Sequence, residues 1–275
     1  MTTLNDKQQA IIDALVADIQ QVQGVAAIVL GGSFANGTAN EYSDLDIGLY
    51  YHEDKPFSIK ALQTIAEKHN DTDDVSVTDF GGWGRWVNGG GWLTIDGQRV
   101  DLLYRNLERV EQVITDCENG KIELDYYQQP ATGFYNYIYL AETHICKVLY
   151  SNDDTLDELK ARVATYPPQL KARIIREFKW QAEFTLDHAR KAMSRFDTHT
   201  FVACLSRVVS CIVQLIYAIN ETYFISDKGA VKACSQMAIK PEYFIERVEE
   251  IYFKPDAGSV DFCKYFLQDL APYCR

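Results

Sequence analysis

Two acidic residues inside an apolar strand pattern constrain this chain more than any other feature of its sequence. In residues 43–51, SDLDIGLYY, aliphatic side chains recur at every second position, which is the pattern of a strand with one buried face. Asp44 and Asp46 fall on the opposite side of that strand, because residues two apart share a face. Two carboxylates on one face repel each other unless a cation lies between them. The pattern therefore predicts a strand whose other face binds a cation.

The loop before this strand is rich in glycine and follows another strand pattern, VAAIVL at residues 25–30. Gly31 and Gly32 allow other groups to approach the backbone closely, and Ser33 opens the following turn with N–H groups and a hydroxyl, which suits a phosphate. The stretch matches neither the GxxxxGK[ST] pattern of a P-loop nor the GxGxxG pattern of a dinucleotide fold. We therefore expect Gly32, Ser33 and a metal ion to hold the phosphate, without a P-loop lysine.

A third acid, Asp101, stands in a further apolar strand pattern, RVDLLYR at residues 99–105. Mg²⁺ takes oxygen ligands and is usually held by one or two carboxylates together with substrate phosphates. A third carboxylate on a neighbouring strand completes a two-metal site of the kind that assists in-line displacement. The predicted reaction is nucleotidyl transfer, in which an acceptor hydroxyl attacks the α-phosphorus of a nucleoside triphosphate and pyrophosphate leaves. Asp44 and Asp46 are predicted to bind metal, and Asp101 to bind the second ion or to act as the general base.

The first part of the chain mixes helix and strand signals. The predicted elements are a helix at 5–22, a strand at 25–30, a strand at 43–51, a helix at 58–69, a strand at 75–80 and a hairpin at 92–104. Asn5 and Gln8 are a plausible cap pair for the first helix. Asp96 and Gly97 are the turn pair that a two-residue hairpin connection favours.

After about residue 107 the strand signals fade and helical spacing dominates. Helices are predicted at 107–117, 134–149, 155–164, 168–194, 198–220, 228–237, 241–252 and 259–270. We predict an α+β fold in which a small, mixed, twisted sheet with helices, over residues 1–115, is followed by an α-helical bundle domain over residues 116–275.

The stretch GGSFANGTANEYSDLDIGLYY at residues 31–51, followed by RVDLLYR, resembles the signature of the DNA polymerase β-type nucleotidyltransferase superfamily. In that signature a GS pair, a short spacer, a DxD pair and a later single Asp on another strand follow in order. The match includes Gly37 and Ser43 and spans roughly residues 25–105. Within the superfamily, the chain is similar to small bacterial members with a helical C-terminal domain, a group that includes the aminoglycoside and lincosamide nucleotidyltransferases.

This resemblance implies that Gly32, Ser33 and Ser43 bind the nucleotide, which is ATP or another nucleoside triphosphate. The segment AINETYFISDKGAVKAC, at residues 218–234, is similar to one in which such proteins carry an Asn, an aromatic pair and a Lys. That likeness makes Lys228 the candidate cation for the triphosphate.

The implied acceptor is a small molecule with a hydroxyl, such as an aminoglycoside-like compound, which would receive AMP from ATP. Two alternatives stay open. One is transfer to a protein, as antitoxin-like members of the superfamily perform it. The other is a nucleotide-binding protein without catalysis.

Net charge, hydropathy and cysteine content limit the partners and the cellular location that we expect for the chain. The net charge of −12 argues against a nucleic-acid backbone as the main partner. We expect no membrane span and a cytoplasmic location, since neither a long uncharged apolar run nor a signal-peptide pattern is present. The seven cysteines occur without CxxC or Cys/His metal spacing, which fits reduced thiols and not a zinc site.

Two further sets of residues allow a structural or a functional interpretation. Glu142, in YLAETHICK, is an alternative to Asp101 as general base, or it is an ordinary exposed helix residue. A glycine-rich patch and the residue after it carry aromatic and basic side chains that either stack on a base or acceptor ring or pack in the core. These are Trp83, Arg85, Trp86 and Trp92.

Overall fold

The computed structural model describes residues 4–127 and 131–274. The chain forms two compact units, each made of two segments. The first unit contains Met1–Thr115 and Tyr139–Thr165, and the second contains Asp116–Ile138 and Tyr166–Arg275. A division into domains after residue 115 stays a prediction, and the structure adds that a later segment returns to the first unit.

The strands are mostly short and lie mainly in the first unit. In chain order they are β1 (Ala27–Leu30), β2 (Leu45–Tyr51), β3 (Gly90–Ile95), β4 (Gln98–Asn106), β5 (Leu124–Asp125), β6 (Phe134–Tyr135) and β7 (Lys147–Ser151). Five strands form one sheet in the order β3-β4-β2-β1-β7, and β5 pairs with β6 separately. Strands β2 and β4 are parallel, whereas the other neighbouring pairs are antiparallel, so the sheet is mixed as predicted.

The helices alternate with the strands at first and then dominate. In chain order they are α1 (Asp6–Ile19), α2 (Gly32–Asn36), α3 (Ile59–His69), α4 (Gly84–Val87), α5 (Leu107–Glu118), α6 (Ile138–Ile145), α7 (Thr155–Arg162), α8 (Pro168–Ser194), α9 (Thr198–Ile219), α10 (Ala230–Cys234), α11 (Phe244–Phe253) and α12 (Ala257–Leu270). A short 3₁₀-helix follows at Ala271–Tyr273. A mixed sheet with helices and a helical region confirm the predicted α+β class.

One face of the sheet packs against α1 and α3. Alternate residues of β2 and β4 are buried in this core, namely Leu45, Ile47, Leu49, Val100, Leu102 and Tyr104. Ile12 and Leu15 of α1 and Leu62 of α3 lie in the same cluster. Because side chains of a strand alternate between faces, the intervening residues of β2 and β4 point away from this core. Asp46 and Asp101 are among those intervening residues.

Local signals in the sequence fix several element boundaries. Asn5 accepts a 2.8 Å hydrogen bond from the backbone N–H of Gln8, and Gln8 Oε1 accepts a 3.1 Å bond from the N–H of Asn5, which is a complete capping box. At the hairpin turn, Asp96 and Gly97 have φ values of +50° and +74°. Positive φ at both positions belongs to the type I′ turn, which explains why an Asp-Gly pair connects β3 and β4.

The strand predicted at residues 75–80 is wrong. Val77 forms a single bridge to Gly91, and no regular strand is present in this stretch. The side chain of Gln63, on α3, donates to the carbonyl of Val75 at 2.9 Å and accepts from the N–H of Val77 at 2.9 Å. The side chain of Gln63 therefore satisfies the Val75 carbonyl and the Val77 N–H, which a neighbouring strand would otherwise bond.

The single helix predicted at residues 134–149 is also wrong. This stretch begins as β6, continues as α6 and ends in β7, which is an edge strand beside β1. The register partners include Ile28 with Tyr150 and Leu30 with Lys147. Pairing with a buried strand, a contact distant in sequence, overrides the local helical pattern.

The second unit is built around two long helices. Helices α8 and α9 pack along each other, and α12 packs against both. Helix α9 is long and apolar enough to cross a membrane, but 67% of its most apolar window is buried among its neighbours. It is therefore a mostly buried helix of its unit, at the position where a helix is predicted at 198–220, and it does not indicate a membrane protein. All seven cysteines are unpaired thiols.

Candidate active site

Asp46 and Asp101 lie beside each other on two parallel strands. β2 and β4 pair so that these two residues are register partners. Neighbouring strands are about 4.8 Å apart, so the two carboxylates start from adjacent points on the same face of the sheet. Both residues are partly buried. Folding thus brings together two acids that the sequence places in separate motifs.

Asp44 lies one residue before β2 and pairs with an arginine. Its Oδ1 is 3.3 Å from Nε of Arg99, which lies on β4 two residues before Asp101. The Arg99 side chain is 69% exposed, so this ion pair contributes little to stability, and another cation can replace the guanidinium. The sequence interpretation missed Arg99, although RVDLLYR places it on the same face as Asp101.

Gly32 packs directly against the carboxylate of Asp46. The N–H of Gly31 donates a 2.8 Å hydrogen bond to the carbonyl of Asp46, which ties the glycine pair to β2. Gly32 has a φ of +54°, and a β-carbon on it would lie 1.7 Å from Oδ2 of Asp46. Any larger residue would displace the carboxylate. Glycine is required here by close approach as well as by backbone conformation.

The two predicted serines lie on either side of the turn that leads into β2. Ser33 is in α2, directly after Gly32, and its carbonyl accepts a 3.0 Å hydrogen bond from the N–H of Thr38. The hydroxyl of Ser43 accepts a 2.9 Å bond from the N–H of Asn40, and so closes the loop just before Asp44. Their predicted contacts with nucleotide stay predictions.

Lys228 belongs to the second unit, where it is exposed and lies two residues before α10. The preceding residue, Asp227, accepts hydrogen bonds of 2.6 Å and 2.5 Å from the hydroxyl of Thr132. The backbone next to Lys228 is therefore anchored within its own unit. That Lys228 reaches the triphosphate stays a prediction.

Glu142 forms a bidentate ion pair with Arg105. Nε and Nη2 of Arg105 each donate a 2.8 Å hydrogen bond to the carboxylate, and Nη1 donates to the carbonyls of Val87 and Tyr104. Burial opposes the charge of the guanidinium, but Glu142, together with Tyr139 and Tyr50, more than offsets this effect and raises the pKa of Arg105. Glu142 therefore neutralises a buried guanidinium, and the assignment of Asp101 or Glu142 as general base stays a prediction.

The three tryptophans in and beside the glycine-rich patch include a buried one, Trp86, an exposed one, Trp92, and a partly buried one, Trp83. Trp86 is 2% exposed, and the guanidinium groups of Arg85 and Arg109 lie 4.8 Å and 4.6 Å from the centroid of its ring. Trp92 is 67% exposed and stacks on Trp83 with the ring centroids 4.7 Å apart. Trp86 is thus a core residue, whereas Trp92 has a surface available to a ligand.

The acids suit a divalent metal by their chemistry and by the space around them. Across residues 4–127 and 131–274, no three His, Cys, Asp or Glu side chains are grouped as a closed metal site, and Asp44 is turned toward Arg99. Two neighbouring carboxylates are nevertheless the number with which proteins usually hold Mg²⁺, the remaining ligands being substrate phosphates and water. Gly32 leaves the Asp46 carboxylate the room that a side chain would fill.

Comparisons with known proteins find one described domain in the first part of the chain. Residues 12–122 match the family model of the nucleotidyltransferase domain, and residues 136–228 match a domain of unknown function (DUF4037). No curated protein is significantly similar to the chain. Among solved structures, a nucleotidyltransferase-like protein from Exiguobacterium sibiricum aligns with 98% of this chain and 74% of its own, at 8% identity and a TM-score of 0.44. The family match therefore gives residues 12–122 a likeness to the nucleotidyltransferase domain.

Proposed function

We propose that this protein transfers a nucleoside monophosphate, with AMP from ATP as the first candidate, onto a hydroxyl of a small molecule such as an aminoglycoside-like compound. The observation that carries the proposal is the register pairing of Asp46 with Asp101 beside a glycine that packs on the Asp46 carboxylate. This arrangement brings together, on one face of a sheet, the acids that nucleotidyl transfer requires.

Each residue of the site has a definite part in this reaction. Gly32 and Ser33 hold the β- and γ-phosphates at the loop after β1, Ser43 holds the loop that leads to Asp44, and Lys228 adds positive charge to the triphosphate. Asp101 takes the proton from the acceptor hydroxyl as its oxygen attacks the α-phosphorus. The bond between the α-phosphorus and the pyrophosphate oxygen breaks at the same time, and pyrophosphate leaves on the side of Gly32.

Asp44 and Asp46 would hold Mg²⁺, and in a site with two Mg²⁺ ions Asp101 would bind the second ion in place of acting as the base. When bound, these ions would neutralise the triphosphate and make the acceptor hydroxyl more acidic. Asp44 must first exchange its contact with Arg99, which an exposed pair permits.

We further propose that the protein acts in the cytoplasm on a small molecule and not on nucleic acid. Seven unpaired thiols fit a reducing compartment. The net charge of −12 disfavours a polyanionic partner.

Thermal unfolding with each of ATP, GTP, CTP and UTP, with and without Mg²⁺, tests this function. A ligand at about 100 times its dissociation constant stabilises the folded state by roughly 2.7 kcal/mol, which moves the melting temperature by a few degrees in a chain of this size. We expect a Mg²⁺-dependent shift for the wild type and none for Asp46→Asn or Asp101→Asn. Asp73→Asn, which removes an exposed acid from the same unit, is the matched control and should keep the shift.

Pyrophosphate release with a panel of acceptors then separates the alternatives. Release that needs a small-molecule hydroxyl supports the proposal, and labelling of a protein in place of small molecules would support the protein-modifying alternative. A Mg²⁺-dependent nucleotide shift without turnover on any acceptor would identify a nucleotide-binding protein without catalysis. No shift with any nucleotide would contradict all three.

A further inference from the structure

We infer that Trp92, supported by Trp83, binds a ring of the acceptor and so determines which hydroxyl reaches the α-phosphorus. We call these two residues the tryptophan shelf. The inference rests on the proposed function, because it uses the direction in which the reaction would run across the sheet. It goes further by assigning the acceptor a place and a chemical class.

The shelf presents one exposed aromatic surface, the ring of Trp92, which rests on the ring of Trp83. Trp92 is 67% exposed, and its ring is nearly parallel to that of Trp83, with an interplanar angle of 23°. Gly90 leaves room for the ring of Trp83, since a β-carbon on Gly90 would lie 2.7 Å from Cζ3 of Trp83. An indole held on one side and exposed on the other is prepared to stack a ligand, since little further ordering is needed when the ligand binds.

The shelf is in line with the two central acids. Trp92 on β3 is the register partner of Asp101 on β4, and Asp101 is the register partner of Asp46 on β2. Trp92 lies on the acid face, because the next residue, Leu93, is buried in the opposite core. Three neighbouring strands therefore carry an indole and two carboxylates in one row.

The loop that holds the phosphates lies at the other end of this row. Gly31 follows β1, which borders β2 on the side away from β4, and donates to the carbonyl of Asp46. In an in-line displacement, the attacking and leaving oxygens are on opposite sides of the phosphorus. Pyrophosphate leaving toward Gly32 requires the acceptor to arrive from the side of Asp101 and Trp92. The shelf thus belongs to the acceptor and not to the nucleobase.

The chemistry of the shelf selects a ring with an apolar face. Such a ring can be a sugar or an aromatic group, and its hydroxyl must project about one strand spacing beyond the shelf to reach Asp101. A flexible chain such as glycerol offers no face to stack. We therefore assign the acceptor to hydroxylated rings.

A calorimetric titration without nucleotide tests binding to the shelf. The probes are glucosamine and benzyl alcohol, with glycerol as the ringless control. We expect at least one ring to bind with saturation, and Trp92→Ala to weaken its binding roughly tenfold or more, as loss of a stacking partner does. Trp92→Phe should retain most of the affinity. Trp180→Ala is the matched control, because Trp180 is also exposed, at 59%, and stacks on Phe184.

Kinetics with the ring that binds best, as acceptor, completes the test. We expect Trp92→Ala to raise the KM for the acceptor with little change in the KM for nucleoside triphosphate. A change confined to the nucleotide would show that the nucleobase occupies the shelf and would overturn the inference. Rings that fail to bind, or that bind Trp92→Ala as well as wild type, would overturn it too. Failure of the proposed function appears separately, as the absence of Mg²⁺-dependent stabilisation by any nucleotide.

Discussion

Gly32 and Asp46 are so close that a β-carbon on the glycine would stand 1.7 Å from Oδ2 of the carboxylate. We predict that Gly32→Ala lowers the free energy of unfolding by roughly 1–3 kcal/mol, because it combines this overlap with a positive φ of +54°. The same change moves the carboxylate, so Mg²⁺-dependent stabilisation by nucleotide should be lost. Urea unfolding and thermal shifts measure the two effects.

Gly97→Ala is the control for backbone conformation alone. Gly97 has a φ of +74°, but a β-carbon on it meets no atom within 4 Å. It should lower stability by a smaller amount and leave nucleotide binding intact. Equal behaviour of the two variants would show that the contact between Gly32 and Asp46 is unimportant.

The ion pair of Arg105 and Glu142 gives a prediction that separates a structural from a catalytic role. The Arg105 side chain is 5% exposed, so Glu142→Gln leaves an almost fully buried guanidinium without its counter-charge. We expect it to lower the free energy of unfolding by about 3 kcal/mol. Arg105→Met combined with Glu142→Leu should recover part of this loss, since neither charge remains buried.

Transfer kinetics of Glu142→Gln and Asp101→Asn distinguish the two candidates for the general base. If Glu142 were the general base, Glu142→Gln would abolish transfer even at temperatures where the destabilised variant is still fully folded. Asp101→Asn should instead abolish transfer in a protein that still unfolds cooperatively. The pair of variants therefore assigns the base.

Local patterns predicted much of this fold, because the responsible interactions are themselves local. The capping box of Asn5 and Gln8 connects residues three apart. The type I′ turn depends on two adjacent residues, Asp96 and Gly97. The first residue of α8, Pro168, has a fixed φ that suits a helix start. Each of these signals can be recognised in the sequence without knowing which helices and strands pack against each other.

Features that depend on contacts between residues distant in sequence could not be predicted from local patterns. Residues 75–80 have a strand pattern, but the side chain of Gln63 occupies their backbone groups. Trp86 and Trp92 lie in one stretch, but Arg109 and Tyr139 pack against the buried ring of Trp86, whereas Trp92 lies on the edge strand β3. The register of Asp46 with Asp101 likewise follows from the order of the strands, which neither motif encodes.

Lys228 supplies a prediction for the second unit. If its ammonium contacts the triphosphate, Lys228→Ala removes a charge-assisted contact and should weaken nucleotide binding about tenfold or more. The unfolding free energy should change little, because the residue is exposed. Lys254→Ala is the control, since Lys254 is 81% exposed and its nearest carboxylate is 3.9 Å away. Calorimetric titration with ATP and Mg²⁺ measures both, and equal affinities would remove Lys228 from the site.

A histidine between two carboxylates makes the stability of the first unit depend on pH. Nδ1 of His52 is 2.7 Å from Glu108, and Nε2 is 3.2 Å from Asp153. The hydrogen bond with Glu108 raises the pKa of His52 despite some burial, and the bond with Asp153 adds to the effect. Although partial burial opposes ionisation, hydrogen bonds from His52 and from backbone N–H groups lower the pKa of both acids.

The sign of the effect follows from these directions. A raised pKa for His52 stabilises the fold fully below its unfolded value of about 6.5, and this contribution is lost as pH rises through the folded pKa. Lowered pKa values for Glu108 and Asp153 stabilise it above about pH 4.3, and that contribution is lost as pH falls through their folded pKa values. The stability difference between wild type and His52→Gln should therefore be largest between about pH 5 and 6 and should shrink above pH 7. We expect a maximum of roughly 0.5–1 kcal/mol, because the three side chains are partly exposed. Urea unfolding across this range measures it, with His199→Gln, an exposed histidine of α9, as the control. A difference that is constant with pH would mean that the imidazole contributes by packing and not by charge.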